Sequence, residues 1–287
     1  KCDMILYNKN LKVGGIKMKK ISLIVLVLLM TVILSCSKKE NKITIAATAT
    51  PHAEILEFLK PKLKEKGFDL EIMVVSDVVI GNNALKEGSV DANYLQHRGT
   101  LARYNEDQKA NFVEAVGVHL EPFGMYSTKI KDVKDLPQNA EIIVPNTAAN
   151  QGRSLKLLSD AGVLKFKDGV KVEVTSLQEF DKNILENPKN LKFKQVQPSL
   201  LPQLYTSGEG DAIFINANYA LQAKLNPLKD SILVENVEKS ERFVNLLVVK
   251  SGDETKEGIK ALVELLKSKE TSDFIKEKYN DKVIPAN

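Results

Sequence analysis

Four of the 41 basic residues are arginine: Arg98, Arg103, Arg153 and Arg242. In a chain this rich in lysine, each guanidinium invites a reason, because its planar fork grips a carboxylate through two donors and an ammonium cannot. Arg153 stands in Pro145-Asn146-Thr147-Ala148-Ala149-Asn150-Gln151-Gly152-Arg153-Ser154, where a strand ends, a polar turn follows and a helix starts. In open α/β sheets that strand-end crevice is where ligands sit, and the helix amides there favour an anion. The same spacing also suits a solvated first-turn arginine paired to a nearby acid. Asn216 closes the apolar run Ala212-Ile213-Phe214-Ile215, where its amide can either meet a ligand or cap the following helix. Asn245 interrupts Phe243-Val244-Asn245-Leu246-Leu247-Val248-Val249, and a polar side chain there needs a partner, either ligand or hinge backbone.

Other chemistries find little support. The three histidines, His52, His119 and His97 in Asp91-Ala92-Asn93-Tyr94-Leu95-Gln96-His97, lie far apart in sequence, so no metal site is expected. Pro51-His52-Ala53-Glu54 lacks the second histidine of a zincin motif, and His52 is expected at a helix start, on the surface or in a cleft. There is no Gly-x-Ser-x-Gly elbow and no phosphate loop, and no cofactor is implied. The chain reads as a binding protein and not as an enzyme.

The elements that must position these residues alternate. Ile43 to Ala47 reads as a strand, and Thr48 to Pro51 as a helix-starting turn. Ile55, Leu56, Leu59 and Leu63 follow at helical spacing, Gly67 as a stop, and Leu70 to Val75 as the next strand. The alternation continues through 84–95, 112–118, 141–145, 151–161, 170–175 and 212–215, which predicts α/β layers with mostly parallel sheets flanked by helices. Breaks at Val118 to Ser127 and Val237 to Val249 suggest two lobes. Ile259 to Leu266 and Phe274 to Tyr279 read as terminal helices.

The beginning of the chain carries its own signals. Lys19-Lys20, the apolar run Ile21 to Leu34 and then Ser35-Cys36 form a lipoprotein signal peptide over 18–35, cut before a lipidated Cys36. The run is short for a membrane span, and two acyl chains on Cys36 anchor stably. Residues 1–17 read as a translated leader, 36–42 as a lipidated tether, and no disulfide is expected. Removing 1–35 leaves 35 basic and 36 acidic residues, so the formal charge of +4 becomes −1 and no nucleic-acid partner is implied.

Several segments together resemble the MetQ/NlpA family, the methionine-binding lipoproteins of ABC importers. They are Pro51-His52-Ala53-Glu54-Ile55-Leu56, Asp91-Ala92-Asn93-Tyr94 with Gln96-His97, Glu121-Pro122 through Tyr126-Ser127, Pro145-Asn146 with Asn150 and Gly152-Arg153-Ser154-Leu155, Glu186 to Leu191, Ile215-Asn216 with Tyr219-Ala220, and Val244-Asn245-Leu246. The resemblance implies a two-lobe periplasmic-binding-protein fold of type II character, with a ligand cleft between a lobe of 43–124 plus 246–287 and a lobe of 125–245. It implies Arg153 on the ligand carboxylate, with Asn216, Asn245 and His97 completing a site for a zwitterion. It further implies a monomer anchored by Cys36 on the outer face of a bacterial cell membrane, serving a permease and its ATPase. The chain departs from the family at three places, where Val78, Leu95 and Thr100 stand for a Tyr, a Phe and a Tyr. The side-chain slot is therefore expected to take methionine held differently, by Tyr94, Phe123, Met125 or Tyr126, or else a related amino acid or a methionine-containing dipeptide. A surface-displayed, adhesin-type lipoprotein is the alternative from another class.

Overall fold

In the structure, a computed structural model, residues 41–236 and 241–286 are described. The leader, the signal peptide and Cys36 lie outside them. The described part is built on two mixed sheets. The first, in spatial order, is β13-β4-β12-β3-β1-β2, from β1 (Lys42–Ala47), β2 (Asp69–Val74), β3 (Ala92–His97), β4 (Phe112–Leu120), β12 (Val244–Lys250) and β13 (Ile284–Pro285). The second is β11-β5-β10-β6-β9, from β5 (Gly124–Tyr126), β6 (Glu141–Pro145), β9 (Lys192–Val196), β10 (Ala212–Ile215) and β11 (Leu233–Val234). A short hairpin of β7 (Lys165–Phe166) and β8 (Ile184–Glu186) stands beside it. The chain leaves the first sheet after β4, builds the second and returns through β12, giving two lobes.

Pairing is parallel where a helix connects neighbouring strands: β1 with β2 and β3, and β6 with β9 and β10. The remaining pairs are antiparallel, so the sheets are less parallel than the alternation predicted. The reason is the return strand: β12 arrives from the second lobe running opposite to β3 and is enclosed between β3 and β4.

Strand alternation decides what each sheet face buries. In β1, Ile43, Ile45 and Ala47 join a core with Tyr94, Leu247 and Val249, while Ala46 joins the opposite core with Leu246 and Val248. Helix α1 (Glu54–Glu65) covers the first face with Ile55, Leu56, Leu59 and Leu63, all inaccessible to solvent. The terminal helices α7 (Glu257–Leu266) and α8 (Lys269–Tyr279) close the same face through Ile259, Leu262 and Ile275. Helix α2 (Val78–Glu87) covers the other face; Asp77 caps it by accepting from the Val79 and Ile80 amides, and Gly88 ends it in the left-handed region. Helix α3 (Arg98–Gln108) follows β3 directly. In the second lobe, α4 (Ala148–Asp160) lays Leu155, Leu157 and Leu158 against Ile142, Val144 and Phe214. The short helices α5 (Leu201–Thr206) and α6 (Ala217–Gln222) cover the reverse face. Residues 170–175 hold a single 3-10 turn, Val172–Val174, instead of a regular element of the alternation.

Candidate ligand-binding site

The strand ends of both sheets meet at one cavity of about 340 Å³. Of the residues singled out in the sequence, Arg153, Asn216, Asn245, His97, Val78, Leu95 and Thr100 all line it. Tyr94 and Tyr126 do not. Tyr94 is fully buried opposite Leu247, with its hydroxyl 2.5 Å from His119 Nδ1. Gln96 pairs with the next β12 residue, Leu246, which leaves Leu95 as an extra residue between them. Such a bulge re-aims a side chain, and here Leu95 lines the cavity while Tyr94 stays in the core. Tyr126 belongs to the second lobe's reverse core, edge-on to Tyr205, and its buried hydroxyl finds no hydrogen-bond partner among the described residues. Phe123 and Met125 are likewise core residues, so none of the four side chains expected to hold the ligand's apolar end lines the cavity.

Arg153 is the best-built part of the site. Its neighbour Gly152 lets α4 press onto the Val172–Val174 turn, since a Cβ at that position would stand 2.6 Å from the Glu173 carbonyl oxygen. The guanidinium is 3% exposed and lies between the rings of Phe123 and Phe243, at 4.8 and 4.2 Å from their centroids. Nε donates to Glu235 Oε1 at 3.0 Å, Nη2 pairs with Glu235 Oε2, and Nη2 also donates to the Glu121 carbonyl at 2.9 Å. Among the described residues, Nη1 meets no protein acceptor. The other arginines are spoken for elsewhere or exposed: Arg98 forks Glu114, Arg103 pairs with Asp107, and Arg242 is exposed.

Around Arg153 the polar groups divide into donors and acceptors. His97 Nδ1 accepts from the Thr100 amide at 3.2 Å, so its Nε2–H donates to Asn150 Oδ1 at 3.2 Å. Burial first, and then the Arg153 charge, push this imidazole down to about 3, so it is neutral near pH 7. Asn245 Oδ1 faces His52 Nε2 at 3.2 Å, which leaves the Asn245 amide hydrogens as donors. Asn216 does not cap α6 with its side chain, and its buried Oδ1 has no donor among the described residues. Glu121 lines the cavity too, accepting from the Asn218 amide at 3.1 Å, and burial raises its carboxyl above the usual range.

Behind this wall the histidines converge in a way their sequence separation hid. His52, His119 and Glu121 place ligating atoms within 4.8 Å of one another. Each is already engaged: His52 Nδ1 with Thr48 Oγ1 at 2.7 Å, His119 Nδ1 with Tyr94, and His119 Nε2 with Glu121 at 3.0 Å. Burial pushes His52 to about 4 and His119 to about 3. The two histidines form a buried hydrogen-bonded support, His52 for Asn245 and His119 for Glu121. His52, expected at the surface or in a cleft, is 1% exposed and faces the cavity from this network.

Hydrogen bonds that bridge the lobes beside the cavity include Gln197 Nε2 to Asp77 Oδ2 at 3.0 Å, the Tyr219 hydroxyl to the Ser76 carbonyl at 2.9 Å, and His97 Nε2 to Asn150 Oδ1. Val78, Val79, Ile80, Leu95 and Pro198 give the cavity its apolar wall. Glu121, Asn150, Gln197 and Glu235 were not legible as site residues, because each matters through a partner distant in sequence.

This arrangement has known counterparts. The family model described as NlpA lipoprotein matches residues 43–287. The chain belongs to the NlpA lipoprotein family. A relative from Bacillus subtilis, the methionine-binding lipoprotein MetQ, is 47% identical over 247 residues, spanning 86% of this chain and 88% of its own length. The crystal structure of a B. subtilis lipoprotein assigned to methionine binding superposes with a TM-score of 0.81 at 47% identity, covering 86% of this chain and 98% of its own. A nutrient-binding protein from Burkholderia cenocepacia, solved bound to methionine, gives a TM-score of 0.78 at 33% identity and covers 85% and 100%. Like these NlpA relatives the chain has the two-lobe substrate-binding fold. Among its described residues no helix is long and apolar enough to cross a membrane.

Proposed function

We propose that this NlpA lipoprotein is the substrate-binding component of an ABC importer and captures methionine or a closely related amino acid between its lobes. The observation that carries the reading is Arg153: buried, sandwiched by two rings, and presenting Nη1 where Asn216, Asn245 and His97 also converge. A zwitterion's carboxylate suits the donors of Arg153 Nη1 and the Asn245 amide; its ammonium suits Asn216 Oδ1 and Glu121. The side chain then lies along Val78, Leu95, Thr100, Val79 and Ile80. Nothing in this set has to react; affinity and cleft closure are sufficient.

A methionine-containing dipeptide is the second reading. It is favoured by Val78, Leu95 and Thr100, which leave room where the family carries rings. The remaining parts of the proposal follow the sequence: a lipid on Cys36 holds the protein at the outer face of the cell membrane, the monomer docks on a permease with its ATPase, and one lobe comprises 43–124 plus 246–287 and the other 125–245. The test is a thermal-shift screen of the mature chain, unfolded and refolded to strip bound ligand, against amino acids and dipeptides. A ligand at 100 times its Kd stabilises by about 2.7 kcal/mol, which is about 5–10 °C for a chain of this size. No shift with any of them rejects the reading.

A further inference from the structure

Arg153 does not wait for its ligand as a bare cation. Glu235 occupies its Nε and Nη2 edge with both carboxylate oxygens and is about 10% exposed. It is held there by the backbone: β11 pairs with β5, and the Glu235 amide donates to the Phe123 carbonyl at 2.9 Å. Glu235 is not among the cavity-lining residues, whereas Arg153 is. The carboxylate therefore approaches from behind and leaves the cavity-side edge, Nη1, to the ligand.

This geometry decides the net charge of the closed site. A buried Arg153 alone would favour a ligand of net charge −1, because an uncompensated ion in a low-dielectric pocket is costly. Paired with Glu235, the guanidinium still donates hydrogen bonds but no longer calls for a net anion. A ligand that supplies its own ammonium enters without upsetting the balance. One that supplies a carboxylate alone leaves a buried negative charge with no counter-ion. The two acids that line the cavity, Glu121 and Asp77, act in the same direction: Asp77 is held by the Val79 and Ile80 amides and by Gln197 and offers no counter-charge to an anion, while Glu121, neutral, adds nothing and, ionised, opposes an anion further. Resting on the amino-acid reading above, we infer that Glu235 is a specificity-determining positioning residue, which makes the Arg153 site select α-amino acids over the 2-hydroxy or 2-oxo acids with the same side chain.

The experiment is calorimetry at pH 7 on the mature, refolded chain, with L-methionine and its 2-hydroxy analogue as probes. The wild type, Glu235→Gln and Glu235→Asp are compared, with thermal melts to establish folding. The wild type prefers the amino acid. Glu235→Gln narrows that preference by about tenfold or more, a change of roughly 1.4 kcal/mol, chiefly by strengthening the hydroxy acid. Glu235→Asp, which keeps the charge, retains most of it. A ratio unchanged within about twofold in folded Glu235→Gln overturns the inference even if both affinities fall, since loss of packing weakens both probes alike. If Glu235→Gln does not fold, Glu235→Ala, which also removes the charge, decides: it narrows the ratio likewise, and an unchanged ratio rejects the role. A wild-type chain that binds no amino acid removes the underlying reading as well, an outcome distinct from binding with an unaltered ratio.

Discussion

Residues at the apolar wall set what the site prefers. Val78, Leu95 and Thr100 line the cavity at positions where the family resemblance implies rings, and a ring there could contact a ligand sulfur for about 0.3–1.5 kcal/mol. Val78→Tyr restores one such ring at the start of α2. The variant should bind methionine more tightly relative to leucine by roughly two- to tenfold, measured as a ratio of dissociation constants. An unchanged ratio would mean that position 78 does not meet the ligand side chain. Arg153 was legible in the sequence because it is a rare guanidinium at a strand-to-helix turn. Asn245 was legible as a polar break in an apolar strand. Tyr94 turns into the core beside the bulge at Leu95, which cannot be read from residue types, and Tyr126 belongs to the second lobe's reverse core, a burial set by contacts between distant segments.

Elements bring those residues into register. Helix α4 carries Asn150 and Arg153, and its depth is set by Gly152 against the 3-10 turn Val172–Val174. Gly152→Ala places a methyl where backbone already stands, and overpacking of this kind costs about 1–3 kcal/mol. The variant should melt several degrees lower and also bind more weakly, because α4 must back away and take Arg153 with it. Full stability at Gly152→Ala would show that the turn yields freely. The terminal helices and the strand-helix alternation up to β6 were readable from periodicity alone. The antiparallel return of β12 and the 3-10 turn at 172–174 were not, because both depend on contacts between distant segments.

At the scale of the molecule, three buried histidines tie stability to pH. His52, His97 and His119 are held near 4, 3 and 3, chiefly by burial, against 6.5 when exposed. A lowered folded value means that the unfolded chain binds more protons. Their contribution is therefore complete above about pH 6.5 and is lost as pH falls toward 4. Glu121 runs the other way: its raised value lets the folded state hold a proton that the unfolded chain releases above 4.5. Unfolding near pH 5 should thus take up close to three protons on the histidines, a number that Glu121 reduces, for a slope of up to about 4 kcal/mol per pH unit. Denaturant titrations from pH 7 to 4.5 read it directly, and a flat profile would show that the histidine network is not buried as described. Because the same network supports Asn245 and Glu121, the loss of stability should be accompanied by weaker ligand binding.

The central proposal is that Arg153, its Nε–Nη2 fork held by Glu235, takes the ligand's carboxylate through Nη1. Calorimetric titration of L-methionine into refolded wild type and Arg153→Lys tests it most directly. Lysine preserves the cation beside Glu235 but not the fork. The expected result is saturable one-to-one binding by the wild type, weakened in the variant by about 2–5 kcal/mol, that is, about thirtyfold or more. Equal affinity in the two proteins would contradict it.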